Sequence, residues 1–185
     1  MNAEELLRHY ERVADAPEAV TRLRRFVLDL AVRGKLVDQC LADEPAPDLL
    51  GRIALERARL SAAGLIRPQK PAPPLEDRPF RLPDNWCWTQ LTQIGLISPR
   101  NDAPDDTLAS FVPMTLVAAE YGVKHGHEIR PWRDIKKGYT HFANEDVGLA
   151  KITPCFENGK STVFRGLSNG IGSGTTELHI VRPLL

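Results

Sequence analysis

Between Leu65 and Pro83 the chain carries Pro68, Pro71, Pro73, Pro74, Pro79 and Pro83. Each proline fixes its own backbone φ and removes an N–H donor, so this density rules out helix and disfavours a paired strand. The stretch is expected to run stiff and extended, near polyproline II, at about 3.1 Å per residue. It divides the chain: the residues before it read as helix, and those after it mostly as strand and loop. The predicted organisation is a helical arm over 1–64, a proline-rich linker over 65–84 and a β-rich domain over 85–185, an α+β chain.

Three helices are expected in the arm. The first spans Asn2 to Val13, with Leu6, Leu7 and Tyr10 on one face; Asp15 and Pro17 then suit the start of the next. The second runs from Pro17 to Arg33, where Val20, Leu23, Val27, Leu30 and Ala31 recur at helical spacing and Gly34 is the stop. The third runs from Pro45 to Ala63, with Leu49, Ile53 and Leu60 on one face and Gly64 as the stop. Matching stripes on helices joined by a short connection should pack antiparallel, Val20, Leu23, Val27 and Leu30 against Leu49, Ile53 and Leu60. A two-helix layer leaves one face bare. The arm is then either a satellite packed on its own domain or half of a helical spacer that docks against another helix pair.

After the linker, Trp86-Cys87-Trp88-Thr89-Gln90-Leu91 reads as a strand. A helical turn over Leu91 to Leu96, or a bulge, is the alternative, because Trp86, Trp88 and Leu91 cannot share one face at period two. Ser98 to Asp106 reads as a loop. Phe111 to Met114 reads as a short strand and Leu116 to Tyr121 as a helical turn ended by Gly122. Two apolar runs, Val147–Ile152 and Leu178–Val181, flank a segment dense in Gly, Asn, Ser and Thr that also carries Lys151, Lys160 and Arg165. Asn158-Gly159 signals a hairpin turn within it. The glycines of Gly170-Ile171-Gly172-Ser173-Gly174 suit tight turns or close backbone approach. Lys124 to Arg133, with Lys136, Lys137, Tyr139 and His141, is the most basic and aromatic-interleaved stretch. Such a strip suits contacts to a nucleic-acid backbone, with an ordinary solvated surface as the alternative.

Charge does not settle that choice. Lys and Arg total 24 and Asp and Glu total 24, so the net charge is zero, yet only a contacting face need be positive. The three cysteines, Cys40, Cys87 and Cys155, are far apart and odd in number, which suggests neither a disulfide framework nor a zinc pair and fits a reducing cytoplasm. No apolar run approaches the roughly 18 residues of a membrane helix, so no membrane is expected. His125, His127 and Cys155 lack a fourth zinc ligand. The glycine-rich segment has no G-K-[ST] ending, so it is no phosphate loop. Glu145, Asp146 and Lys151 stand in the wrong order for a nuclease site. No catalytic residue and no cofactor is therefore expected.

Three segments carry a family resemblance. Lys151-Ile152-Thr153-Pro154-Cys155-Phe156-Glu157-Asn158-Gly159-Lys160, followed by Gly170-Ile171-Gly172-Ser173-Gly174-Thr175-Thr176-Glu177, resembles the target-recognition domain of type I restriction–modification specificity subunits. Leu28-Asp29-Leu30-Ala31-Val32-Arg33-Gly34-Lys35-Leu36-Val37 resembles that family's spacer region. Leu82-Pro83-Asp84-Asn85-Trp86-Cys87-Trp88 resembles the entry to its recognition domain. The order also fits. The chain departs from the family at Gly148, where a bulky apolar residue is usual, and in being about half the usual length. Val181 to Leu185 looks like mid-domain sequence, so the recognition domain is expected to be incomplete at its C-terminus. A fragment, a truncated gene product and a half-subunit needing a second half all fit.

The resemblance implies a non-catalytic subunit that reads one half of a split site in double-stranded DNA. Its helices would dock modification (methyltransferase) subunits, and a translocase/restriction subunit would join through the complex. The alternative is a protein-interaction module whose recognition domain does not bind DNA by itself. On the first reading Lys151, Thr153, Asn158, Lys160, Ser161 and Thr162 should line the DNA-facing side, because donors beside a turn suit base edges. Lys136, Lys137, Tyr139 and Arg165 should flank them at the phosphates.

Overall fold

The fold was taken from a computed structural model, which describes residue 4, residues 8–9, 18–40, 42–68, 73–119 and 122–185. The chain divides into two compact units, Met1–Arg52 with Pro73–Thr89, and Ile53–Ala72 with Gln90–Leu185. Two long helices come first and two four-stranded sheets come after them, so the described chain is mixed α+β.

In the first unit, helix α1 spans Ala19–Val32. Helix α2, Ala46–Ala62, begins here. Both stop where glycine permits the left-handed turn that ends a helix, Gly34 at φ 65° and Gly64 at φ 70°. The end of α1 is sealed by the last part of the linker and the residues just after it. A Cβ on Gly34 would meet Pro83 Cγ at 2.5 Å. The Arg33 guanidinium lies 4.8 Å from the centre of the Phe80 ring, and Trp86 Nε1 donates to Gln39 Oε1 at 2.7 Å. Phe80 and Trp88 pack ring on ring at 4.9 Å.

These contacts correct one expectation. Trp86 to Gln90 is extended but pairs with no strand, because its tryptophans pack on local partners instead of a ladder; a short helix, α3 (Leu91–Ile94), comes next. The apolar stripe is also only partly sealed. Leu30 and Ile53 are buried, but Val20 is 73% exposed and Leu49 37%. The predicted burial therefore fails at Val20, in the first turn of α1, and at Leu49 on α2. The expected first helix over Asn2 to Val13, and the start signals at Asp15 and Pro17, lie largely outside the described residues.

In the second unit one sheet has the order β1-β8-β5-β6 and the other β3-β2-β7-β4. The strands are β1 (Gly95–Ile97), β2 (Leu108–Val112), β3 (Glu128–Pro131), β4 (Thr140–Ala143), β5 (Val147–Ala150), β6 (Ser161–Val163), β7 (Ile171–Gly174) and β8 (Leu178–Pro183). All neighbours are antiparallel except β2 and β7, which pair in parallel with Phe111 opposite Ser173. A short helix, α4 (Trp132–Ile135), continues from β3. The main core lies between the sheets: Val112 and Phe142 from one, Ala150, Leu178 and Ile180 from the other, with Val117, Phe164 and Leu167 from the connections. The second sheet is covered on its other side as well, where Ala109 and Phe111 pack with Trp132 and Ile135 of α4. Burial on both faces explains why β2 reads as a continuous run and not as an alternating one.

Strand β7 was hidden in the glycine-rich segment. A Cβ on Gly174 would meet Val112 O at 2.1 Å, and one on Gly172 would meet Phe142 Cε2 and Ser110 O, each at 2.6 Å. The glycines thus serve close approach of strand to strand. The expected strand over Phe111 to Met114 lies instead at Leu108–Val112, because Pro113 has no N–H for a ladder. The helical turn expected over Leu116 to Tyr121 falls earlier, at Met114–Leu116; Tyr121 is outside the described residues. Gly148 lies within β5. The Phe164 ring occupies the space a side chain would need, 2.8 Å from the Cβ position, and stacks on Phe142 at 3.7 Å.

Candidate nucleic-acid interface

The β5–β6 connection, residues 151–160, carries most of the expected base-reading donors. Thr153 and Asn158 stand exposed on it. Gly159 adopts φ 70°, which lets the chain turn into β6. The structure draws the far end of this connection inward. Lys160 Nζ donates to Met114 O at 3.0 Å, Ser161 Oγ donates to Gly159 O at 3.3 Å, and Thr162 is buried on β6. Lys160 thus acts first as a tether between the connection and the turn after β2.

The expected phosphate-flanking residues also have partners. Arg165 holds Glu145 at 3.0 Å, and that carboxylate raises the guanidinium's affinity for its proton. Lys136 is ion-paired with Asp105 and holds that carboxyl below its ordinary range. Lys137 is exposed. Tyr139 is half-buried with its ring edge-on to Phe111 at 5.0 Å. The basic strip before them is largely neutralised: Arg130 pairs with Glu128, and Arg133 with Asp106.

Lys151 and Tyr139 meet in one cleft of about 450 Å³ whose lining also includes Ser98, Arg100, Thr140, Thr176 and His179. No Asp or Glu lines it. Its walls are held from behind by a polar network. Asp146 is 1% exposed and receives Arg182 on both carboxylate oxygens, each at 2.8 Å. Arg182 also donates to Asn101 Oδ1 at 2.8 Å. Asn101 donates through Nδ2 to Phe142 O at 2.7 Å and through its backbone N–H to His141 Nδ1 at 3.1 Å. With Nδ1 accepting, Nε2 carries the proton and donates to Lys136 O at 2.9 Å. Burial lowers the His141 pKa, which agrees with that neutral tautomer. Lys151 is fixed at the cleft mouth by its N–H to Glu177 O at 2.9 Å.

The same network bears on the nuclease-like trio. Asp146 is committed to Arg182 and Glu145 to Arg165, so neither carboxylate is poised beside Lys151. Among the described residues His125, His127 and Cys155 form no metal group. His125 accepts the Arg165 N–H at 3.2 Å, and burial lowers its pKa. Arg100, Thr176 and His179 are not singled out by sequence. Ser98-Pro99-Arg100 reads there as plain loop, and His179 alternates with apolar residues on β8; the exposed position of that alternation is the available signal.

No protein-family model and no solved structure matches the chain. Two curated proteins do. Over 167 residues, 89% of the chain, it is 55% identical to the type I restriction enzyme EcoAI specificity subunit of Escherichia coli. Over 168 residues it is 49% identical to the type I restriction enzyme EcoEI specificity subunit of the same organism. The chain spans 28% of the length of each. Across the residues they share, this chain is similar in sequence to both specificity subunits.

Proposed function

We propose that the chain contributes sequence-specific recognition of double-stranded DNA to a type I restriction–modification system, as part of a specificity subunit, and performs no chemistry itself. The 55% identity over 167 residues with a specificity subunit carries this reading. In its finer form the second unit reads one half of a split site, and the helices dock modification subunits. The restriction subunit enters through that complex, and a second half-subunit supplies the other half-site. The apolar residues that α1 leaves in solvent, Val20, Leu28 and Val32, suit a docking helix. The cleft free of acidic residues suits a polyanion. The setting is cytoplasmic, and no helix among the described residues is long and apolar enough to cross a membrane.

A salt-dependent titration with duplex DNA tests this, with and without the modification subunits. Preference for one sequence, strengthened by those subunits, is the expected result. Stable association with the subunits but no DNA binding in any combination would make the chain a protein-interaction module instead.

A further inference from the structure

Several cations of the second unit are already paired. Arg130, Arg133, Lys136, Arg165 and Arg182 each hold a carboxylate. To bind an anion, such a residue must first release its partner, and the freed carboxylate then repels the ligand. Arg100 and Lys151 have no carboxylate within salt-bridge distance among the described residues, and both line the same cleft. Tyr139, Thr176 and His179 bring further donors to it. In a chain of zero net charge, a cleft with cations and hydroxyls but no acidic lining is a local positive field. Its walls are preorganised, since neutral His141 joins the backbone at Asn101 to that at Lys136.

The geometry points to this cleft as a grip on phosphate, made by Arg100 and Lys151 with His179 and Thr176 beside them. Arg165 and Lys136 stay with their carboxylates. The inference rests on the DNA-recognition reading for its ligand, a nucleic-acid backbone, because donors supplied by four separate segments suit a phosphate run more than one small anion.

The test uses the whole chain with modification subunits, and duplex DNA titrated across salt. Arg100→Gln and Lys151→Gln should each reduce the salt slope by about one and weaken all sequences equally. Arg165→Gln should leave the slope unchanged, and Arg100→Lys should restore it. Thermal melting checks that the variants are folded. If wild type binds DNA but the two Gln variants keep its slope, the cleft assignment is overturned while the DNA reading stands. If wild type binds no DNA, that reading fails, and inorganic phosphate becomes the probe by NMR. Amide shifts at Thr176 and His179 that vanish in Arg100→Gln would then keep the cleft as a small-anion site; no shift would remove it.

Discussion

Gly174 shows how little space separates β2 from β7. Its missing Cβ would sit 2.1 Å from the Val112 carbonyl oxygen, and a backbone atom cannot swing aside as a side-chain tip can. Gly174→Ala is therefore expected to cost about 1–3 kcal/mol of unfolding free energy, the range for overpacking a tight core. Gly51→Ala, in open space on α2, is the control and should stabilise slightly. Urea unfolding of the two variants makes the comparison. His141 couples the same region to pH. Folding holds its imidazole neutral, since the Asn101 N–H occupies Nδ1 and burial disfavours charge. An unfolded histidine titrates near 6.5. As pH falls through that value, the unfolded chain takes up a proton that the folded chain resists. The contribution is complete above about pH 6.5 and is lost progressively below it. The drop in urea midpoint between about pH 7.5 and about pH 5 should be smaller in His141→Gln than in wild type. An equal drop would assign the acid sensitivity to other groups.

At the scale of the element, burial separates positions that the sequence pattern treats alike. Val20 and Leu30 belong to one stripe on α1, yet Leu30 is 6% exposed and Val20 73%. Leu30→Ala should cost roughly 2–5 kcal/mol, and Val20→Ala within about 0.5 kcal/mol of zero, both read from denaturant midpoints. Periodicity and stop glycines made α1 and α2 legible, because these signals are local. Strands β5 and β8 were legible for the same reason, each being an apolar run bounded by turn residues. Strand β7 was not. Its identity rests on Gly172 and Gly174 fitting under Phe142 and against β2, a contact between segments far apart in the chain that no short window contains. The cleft was half legible. Lys151 and Tyr139 stood out by composition, whereas Arg100 and His179 join them only through the strand order. Which cations are already paired cannot be read locally either: Arg165 and Glu145, or Lys136 and Asp105, are far apart in sequence and adjacent in space.

For the whole molecule, the question is whether the β5–β6 connection reads bases or merely closes a hairpin. Its residues are not equivalent. Asn158 is exposed, and its side-chain amide can both donate and accept, the pairing that suits an adenine edge. Lys160 is tethered to Met114 O, and Thr162 is buried. If the connection reads bases, Asn158→Ala should cost about 1–3 kcal/mol of binding on the preferred duplex and relax the preference at one position, with little change in salt slope. Lys160→Ala should act differently. Losing the tether loosens the connection, so affinity should fall together with the melting temperature. Thr162→Val, nearly isosteric and inside the fold, should leave sequence preference intact. The measurement is selection from a randomised duplex pool by the chain complexed with modification subunits, followed by affinity on the selected and scrambled sites. An unchanged preference in Asn158→Ala would leave the connection as structure alone, and base reading would then have to be sought on another surface of the second unit.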